Sequence, residues 1–207
     1  CALQAGCTVD LLELNAQALA AGVKRIEDEL ARDVERQRLS ADKRDAMLAR
    51  LTASQDIQTV AKADLVIEAI IEDMAAKQAL FQQLAAQVSR DTLLATNTSY
   101  LDIDAIAAAT GRPQDVIGLH FFSPANIMKL LEIVVPAKVA PDVVATAFEL
   151  ARKLKKVPVR AGVCDGFIGN RILAVYKQAA DYLLEDGASP YAVSYTHLRA
   201  HETPEHL

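Results

Sequence analysis

The residue pair best suited to proton transfer is His120 and Glu132, which stand twelve residues apart. His120 lies between Leu119 and Phe121 at the end of a β-rich run, and Glu132 interrupts the apolar run KLLEIVV. A buried carboxylate is costly unless it is paired, so a His–Glu pair would satisfy both side chains. In such a pair Glu132 fixes the imidazole tautomer while His120 accepts a hydroxyl proton. The alternatives are a satisfied core histidine and a Glu132 that faces solvent on an edge strand.

Three further polar residues stand where predicted strands or turns end. Asn97 and Ser99 form the turn NTS after the run TLLAT, and Asn170 lies in DGFIGNR beside Gly166 and Gly169. Ligands of open α/β sheets bind at the carboxyl ends of the strands, and glycines permit close approach of backbone or substrate. Ordinary turn and cap chemistry explains the same residues equally well.

Glu13 and Lys77 are candidates for contact with a bound cofactor. Glu13 ends the first predicted strand, where an acidic residue of a dinucleotide-binding unit binds ribose hydroxyls. The Gly-rich turn that precedes such a residue by about 20 positions does not occur in the sequence. We therefore expect residues 1–6 to end the first helix and the phosphate loop to lie upstream. Alternatively, Glu13 is a solvated carboxylate at the end of a strand, and Lys77, which follows Glu72, is a surface lysine.

Short apolar runs alternate with longer amphipathic ones, and this rhythm predicts an α/β layer fold with a largely parallel sheet. Strands are predicted at 8–14, 63–70, 92–96, 115–122, 128–135 and 156–160. Helices are predicted from Asn15 to Arg36, from Ser40 through Leu51, after Asp73, after Asp102, from Pro141 and from Phe167 to Glu185. The first two helices lie between neighbouring strands, so we expect them to form a hairpin that projects from the sheet.

The composition indicates an ordinary globular protein and excludes several classes of site. The chain has 207 residues, of which 52% are hydrophobic and 24% are charged, and its net charge of -5 does not favour a nucleic-acid partner. Its three cysteines form no C-x-x-C pair, so neither a disulfide framework nor a zinc site is expected. The sequence contains no membrane-length apolar run and no signal peptide, which favours a cytoplasmic location. Residue 1 is not Met, so the chain as given need not include its natural N-terminus.

The last fifteen residues, 193–207, differ from the rest of the chain. They hold His197, His201 and His206, and a histidine-rich tract is one form of metal site. However, the string VSYTHLRAHET resembles the translation of a sequencing adapter over eleven residues. We therefore interpret 193–207 as an artefact without a metal role, and expect the natural part of the given sequence to stop near Tyr191 or Ala192 because the gene was truncated there.

Several strings, taken in order, give the chain a specific resemblance to a known family. They are TVDLLE, ADLVIEAIIEDMAAKQALF, ATNTSYLDIDAIA, GLHFFSPANIMKLLEIV and DGFIGNRIL. Over residues 1–191 the sequence resembles the 3-hydroxyacyl-CoA dehydrogenases. Its motif sequences are similar to those of bacterial members, including the dehydrogenase modules of multifunctional β-oxidation enzymes. The resemblance implies NAD as the cofactor and an acyl-CoA as the substrate, and a parent protein that is a homodimer or part of a multifunctional enzyme.

The resemblance also implies a role for each candidate residue. His120 matches the catalytic histidine and Glu132 its partner, while Ser99 and Asn170 match polar residues that contact the substrate. The residues that match cofactor-binding positions are Glu13, Glu72, Lys77, Asn97, Ser99 and Ser123, the last standing where many members have Asn. The implied reaction oxidises (3S)-3-hydroxyacyl-CoA to 3-oxoacyl-CoA. A non-catalytic NAD-binding relative and a dehydrogenase of another 3-hydroxy acid are the alternatives.

The implied fold is a Rossmann-like doubly wound sheet with a helical-hairpin insertion, followed by the start of an all-α domain. We expect a partial NAD-binding domain at 1–162, the start of the C-terminal helical domain at 163–192, and the artefact at 193–207. Because the phosphate loop and most of the second domain are absent from the sequence, we expect weak or no turnover from the chain as given.

Overall fold

The computed structural model describes residues 1–194, and the histidines of the predicted adapter tail lie outside the described residues. The strands in this range are β1 (Val9–Leu12), β2 (Leu51–Ser54), β3 (Leu65–Glu68), β4 (Leu93–Thr96), β5 (Val116–Phe121), β6 (Leu130–Val135) and β7 (Val157–Gly162). The α-helices are α1 (Ala16–Glu35), α2 (Ala41–Leu48), α3 (Met74–Gln87), α4 (Ile103–Ala109), α5 (Pro141–Lys153), α6 (Gly169–Glu185) and α7 (Pro190–Val193).

The strands form two sheets that are parallel except at one pairing. β1 pairs with β2, and the larger sheet has the order β3-β4-β5-β6-β7. β3, β4 and β5 are mutually parallel, β6 is antiparallel to β5, and β7 is parallel to β6. The amino ends of β6 and β7 therefore lie at the same edge as the carboxyl ends of β3, β4 and β5, and we call this the carboxyl edge. The α/β fold with a largely parallel sheet is confirmed.

Both faces of the larger sheet are covered by helices. One face packs against α3 and α4 through a cluster that includes Phe81, Leu94 and Ile106. The opposite face packs against α5 through a cluster that includes Ala95, Ile133 and Ala147. Because neighbouring residues of one strand point to opposite faces, each inner strand contributes to both cores, as expected for a doubly wound sheet.

Close packing at the centre of β5 requires a glycine. A Cβ at Gly118 would lie 2.4 Å from Ile103 Cδ1 and 2.7 Å from Val134 Cβ. Both distances are far inside van der Waals contact, so α4 approaches β5 only because position 118 has no side chain. This contact sets the depth of α4 against the strand that ends at His120 and Phe121.

The predicted helical hairpin is present, but one strand was missed. The Asn15 side chain accepts hydrogen bonds from the first turn of α1, and Ser40 Oγ accepts one from Lys43 N, as expected of N-caps. The prediction that the second helix continues through Leu51 is wrong. α2 ends at Leu48, and Leu51 begins β2, where it lies opposite Val9 of β1. The hairpin thus forms the crossover between two paired parallel strands.

The third strand ends before the predicted residue, Ile70. β3 stops at Glu68, whose carboxylate oxygen Oε1 accepts a hydrogen bond of 2.6 Å from Ile70 N. A backbone amide that is used by the side chain two residues earlier cannot also extend the ladder, so the chain turns away from β4 at this point.

No helix within residues 1–194 is long and apolar enough to cross a membrane. The three cysteines, Cys1, Cys7 and Cys164, are free thiols, each partly buried. In the same range no group of three or more His, Cys, Asp or Glu side chains is arranged to hold a metal ion.

Candidate active site

His120 and Glu132 form a buried pair across the antiparallel strands β5 and β6. They occupy directly opposed positions in the strand register, and His120 Nδ1 lies 2.7 Å from Glu132 Oε2. Their side chains are 5% and 1% exposed, and β6 lies between β5 and β7. Glu132 is therefore neither on an edge strand nor in solvent, and the predicted pairing of these two side chains is present.

The second carboxylate oxygen of Glu132 is held by the start of α6. Oε1 accepts hydrogen bonds from Ile168 N at 3.2 Å and from Gly169 N at 2.7 Å. Backbone N–H groups at a helix N-terminus are otherwise unpaired donors that favour a negative charge. Glu132 is therefore fixed through both oxygens, one to the imidazole and one to the helix.

The turn that presents these two amides has an unusual backbone. Gly166 (φ 67°) and Phe167 (φ 47°) both lie in the left-handed region, and a Cβ at Gly166 would come within 2.8 Å of Arg171 N. A left-handed phenylalanine is uncommon and costs free energy, which the surrounding structure must offset. Burial of the Phe167 ring, which is 1% exposed, provides part of that compensation.

Two aromatic rings enclose the imidazole of His120. The Phe122 ring centroid lies 4.6 Å from that of His120, and Phe167 makes an edge contact at 5.6 Å. Nε2 of His120 has no hydrogen-bond partner among residues 1–194, yet it is not a fully buried unpaired atom. The imidazole is thus clamped at Nδ1 and open at Nε2, which is the arrangement that a general base requires.

Asn97 and Ser99 connect this pair to the neighbouring strand ends. Asn97 Oδ1 accepts a hydrogen bond of 2.8 Å from Phe121 N, next to His120. Ser99 N donates to Glu72 Oε1 at 2.8 Å. The carboxyl ends of β3, β4 and β5 are therefore joined by one set of polar contacts, which brings together most of the predicted site.

Glu72 is the anchor of the turn after β4. Besides Ser99 N, its Oε1 accepts hydrogen bonds from Thr98 Oγ1 at 2.5 Å and from Tyr100 N at 3.2 Å. Partial burial raises the pKa of Glu72, but the Thr98 hydroxyl, the backbone amides and the Lys77 ammonium outweigh it, so the pKa is lowered from 4.5. Glu72 therefore stays ionised and holds the turn that carries Ser99.

Lys77 is a buried residue, and its partner Glu68 was not predicted. Lys77 is 1% exposed, and its Nζ lies 2.6 Å from Glu68 Oε1 and 3.4 Å from Glu72 Oε2. Glu68 Oε2 accepts a further hydrogen bond from Thr96 Oγ1 at 2.7 Å. The alternative of a surface lysine is wrong, and the ammonium of Lys77 points into this network. A charged residue within the apolar run ADLVIEAI was the signal that could have identified Glu68.

The remaining candidates keep polar groups without protein partners. Within residues 1–194, the side chains of Ser99, Ser123 and Asn170 form no hydrogen bond with another protein group. Asn170 directly follows Gly169, which binds Glu132. Glu13 is exposed at the end of β1, where its carboxylate accepts a hydrogen bond of 3.1 Å from Asn15 N. No contact in the described range joins Glu13 or Ser123 to the His120–Glu132 pair.

These unpaired groups fit the polar surface of a dinucleotide. The exposed carboxylate of Glu13 can accept hydrogen bonds from ribose hydroxyls, since only one of its oxygens is used internally. The free hydroxyl of Ser99 stands at the carboxyl edge, where open α/β sheets bind ligands. The unpaired acceptor of Glu13 and the unpaired hydroxyl of Ser99 are therefore of the kind that a dinucleotide can use.

Comparison with known proteins identifies one family. The sequence model of the family described as "3-hydroxyacyl-CoA dehydrogenase, NAD binding domain" matches residues 1–164. The peroxisomal bifunctional enzyme of Danio rerio is 43% identical over 188 residues, which cover 91% of this chain and 26% of that protein. The probable 3-hydroxybutyryl-CoA dehydrogenase of Bacillus subtilis is 38% identical over 93% of this chain and 67% of its own length.

The fold is shared with solved structures. The crystal structure of 3-hydroxybutyryl-CoA dehydrogenase from Escherichia coli superposes with a TM-score of 0.88 at 41% identity, covering 91% of this chain and 40% of that one. This chain spans about a quarter of the length of the bifunctional relatives that it matches. The chain belongs to the 3-hydroxyacyl-CoA dehydrogenase family, since the sequence model of that family's NAD-binding domain matches residues 1–164.

Proposed function

We propose that the protein carrying this chain is an oxidoreductase that interconverts (3S)-3-hydroxyacyl-CoA and 3-oxoacyl-CoA with NAD. The observation that carries the proposal is the buried His120–Glu132 pair, in which Nδ1 is bound and Nε2 is open. A histidine held in this way has one defined tautomer and one nitrogen available for proton transfer. Family membership supports the same reaction.

In the oxidative direction His120 Nε2 takes the proton of the substrate 3-hydroxyl group. Glu132 stabilises the imidazolium that forms. The amides of Ile168 and Gly169 hold the Glu132 carboxylate in place during the proton transfer. Bound NAD supplies the acceptor for the hydride that leaves C3 of the substrate. In the reductive direction the same Nε2 returns the proton to the 3-oxo oxygen.

Ser99 and Asn170 are the substrate-contacting residues of this proposal. Ser99 is supported by its unpaired hydroxyl and by the anchoring of its backbone to Glu72. Asn170 is supported by its position one residue after Gly169, which binds Glu132. Both residues therefore stand on backbone that is tied to the catalytic pair or to its neighbouring turn, as precise substrate positioning requires.

Glu13, Glu72, Lys77, Asn97, Ser99 and Ser123 are the proposed NAD-binding residues. Because the Lys77 ammonium is used by Glu68 and Glu72, its contribution is to keep Glu72 charged and in place. Asn97 contributes in a similar way, since its oxygen is bound to Phe121 N. Glu13, Ser99 and Ser123 retain polar atoms for direct contact.

The biological setting of the reaction is fatty-acid β-oxidation or short-acyl-CoA metabolism. Among the relatives, the Danio rerio protein is named a peroxisomal bifunctional enzyme and the Bacillus subtilis protein a probable 3-hydroxybutyryl-CoA dehydrogenase. A homodimer or a place within a multifunctional enzyme, a cytoplasmic location, and the domain boundaries at 162 and 192 stay predictions.

The test uses the full-length gene product with acetoacetyl-CoA and NADH, and follows NADH oxidation. We expect turnover by the wild type and a loss of roughly a hundredfold or more in kcat for His120→Ala, because general acid–base catalysis contributes at least that factor. Thermal unfolding and NADH binding of the variant are measured in parallel. A wild type that binds NADH but reduces neither acetoacetyl-CoA nor longer 3-oxoacyl-CoAs would favour a non-catalytic relative or another 3-hydroxy acid.

A further inference from the structure

The ammonium of Lys156 is buried and is not balanced by a carboxylate. Lys156 is 9% exposed, and its Nζ donates hydrogen bonds to the carbonyl oxygens of Ala125 and Met128, the latter at 2.7 Å. No acidic side chain within residues 1–194 forms an ion pair with it. Burial lowers the pKa of this lysine, because the charged form loses hydration. A charge kept under these conditions calls for an explanation.

Both carbonyls belong to the segment that connects the two catalytic strands. This segment, residues 122–129, joins β5 to β6, and we call it the connecting loop. Lys156 directly precedes β7, whose amino end lies at the carboxyl edge, and Val157 N donates to Lys129 O at 2.8 Å. Lys156 is therefore placed beneath the loop, within reach of its middle and of its end.

The connecting loop has few other fixed points. Its residues from Ser123 to Lys129 are all exposed. Inside the loop, the N–H groups of Ile127 and Met128 donate to Pro124 O. The other side-chain donor to the loop backbone in the described range is Cys1 Sγ, which lies 3.1 Å from Ala125 O. A thiol is a weak donor, so the charge-assisted bonds of Lys156 are the strongest link between the loop and the sheet.

The first residues of the loop contact the candidate active site. The Phe122 ring lies against the His120 imidazole at 4.6 Å between centroids. On its other side Phe122 limits the space at Gly169, where a Cβ would come within 2.8 Å of Phe122 Cζ. Ser123, the next residue, is one of the proposed NAD contacts. A displacement of the loop would therefore move Phe122, which packs against the imidazole, together with Ser123, a proposed NAD contact.

We propose that Lys156 is a positioning residue for the dehydrogenase reaction, whose ammonium holds the connecting loop so that Phe122 and Ser123 keep their places beside His120. This inference rests on the proposed function. Lys156 touches neither substrate nor reacting atoms; it acts through the backbone carbonyls of Ala125 and Met128. The buried charge is retained because two carbonyl dipoles are bound at once, which a neutral side chain of the same length cannot do.

The experiment compares Lys156→Met, Lys156→Arg and Lys153→Met in the full-length gene product. Methionine keeps an unbranched side chain but removes the donors, arginine keeps a charged donor, and Lys153 is an exposed lysine at the end of α5 that serves as the control. For each variant, kcat and the KM values for NADH and acetoacetyl-CoA are measured, together with the Kd for NADH by fluorescence and the thermal unfolding temperature.

We expect Lys156→Met to raise the Kd and KM for NADH about tenfold, because it removes both charge-assisted hydrogen bonds and only part of their free energy reaches the NADH site through the loop. Lys156→Arg should recover most of that loss, and Lys153→Met should match the wild type. A role in folding alone would lower the unfolding temperature but leave the KM and Kd of the folded enzyme unchanged, and this result would overturn the inference. If Lys156→Met does not fold, Lys156→Gln takes its place, because it removes the charge but keeps a polar side chain. A raised Kd for NADH in that variant supports the inference, and a wild-type Kd overturns it.

Failure of the proposed function gives a different result. In that case the wild type shows no turnover, whereas the Kd for NADH still reports the placement of Ser123. A tenfold weaker Kd in Lys156→Met with no turnover in any variant would support the positioning role and reject the reaction. Equal Kd values for the wild type and Lys156→Met would reject the positioning role whether or not the wild type turns over.

Discussion

Two buried acid–base pairs lie at the carboxyl edge, and they differ in what they leave unbound. In the Glu68–Lys77 pair, Lys77 Nζ is surrounded by Glu68, Glu72 and the carbonyl of Ile70, and both oxygens of Glu68 are occupied. In the His120–Glu132 pair, both oxygens of Glu132 are occupied but Nε2 of His120 is not. The first pair is closed, whereas the second exposes one atom.

The difference separates a structural role from a chemical one. A closed pair cannot exchange a proton with a ligand, so its contribution is to keep the end of β3 and the turn after β4 in place. An open pair has the same cost of burial but offers a nitrogen whose protonation can change during a reaction. Removal of the Glu68 charge should therefore mainly lower the stability of the fold, whereas removal of the Glu132 charge should mainly lower turnover.

The largest expected effect is on turnover in Glu132→Gln. The backbone amides of Ile168 and Gly169 require an oxygen acceptor, so the glutamine NH₂ must face His120 Nδ1 and force the proton onto Nε2. His120 then cannot accept the substrate proton, and we expect kcat to fall by roughly 10²–10⁴-fold. Steady-state kinetics of the full-length protein provide the measurement.

NADH affinity is the control for Glu132→Gln, and it should stay near the wild-type value because both carboxylate oxygens of Glu132 are bound within the protein, to His120 and to the start of α6. Wild-type kcat in a folded Glu132→Gln enzyme would show that the open nitrogen is not the proton acceptor, and the distinction between the two pairs would fail.

The next effect is on stability in Glu68→Gln. This change leaves the Lys77 ammonium buried, with Glu72 at 3.4 Å as its remaining carboxylate. Loss of one partner of a buried pair costs about 3–5 kcal/mol in the free energy of unfolding, and urea denaturation measures it. The double variant Glu68→Gln with Lys77→Met should lose less than Glu68→Gln alone, because the unpaired charge is gone. Additive losses would contradict a closed pair.

The smallest effect concerns the pH dependence of stability at Glu72. Its pKa is lowered from 4.5 on folding, so its stabilisation is present above that value and is lost as the pH falls through the folded-state pKa. Because its side chain is 40% exposed, we expect about 1 kcal/mol or less at neutral pH. The difference in unfolding temperature between wild type and Glu72→Gln should shrink from neutral pH towards about pH 3.

The control for Glu72 is Glu149→Gln on α5. Glu149 is exposed and has no bonded partner within residues 1–194, so its substitution should leave the unfolding temperature unchanged at each pH. A pH-independent difference between wild type and Glu72→Gln would mean that Glu72 contributes through packing rather than through its charge.

Local signals in the sequence were sufficient to predict most helices and strands and the His120–Glu132 pair. Asn15, Ser40, Asp73 and Asp102 are the caps that the sequence predicts, because capping needs only a short polar side chain at the right residue. The His120–Glu132 pair was also predictable, since a carboxylate inside a six-residue apolar strand must find a partner. These inferences depend on neighbours along the chain or on a single burial argument.

The missed features depend on contacts between distant segments. β2 has four residues, LTAS, whose pairing with β1 across the helical hairpin leaves no periodic pattern. The burial of Lys77 and Lys156 follows from which strand end or loop lies above each side chain. The run KLKKVPV contains three lysines that the sequence does not distinguish. Lys156 is the one that is buried, because the connecting loop packs over it. Glu68 is the exception, because a carboxylate inside the apolar run ADLVIEAI carries the same sequence signal as Glu132 in KLLEIVV.

The opposed register of β5 and β6 restricts which length changes the chain can accommodate over evolution. His120 and Glu132 meet because they face each other across two strands whose side chains alternate between faces. One residue inserted into β6 before Glu132 would turn the carboxylate towards α5 and leave the histidine without its acceptor. By contrast, residues added between α1 and α2 would only lengthen the tip of the hairpin. Insertions and deletions among homologues should therefore accumulate at that tip and be rare between His120 and Glu132.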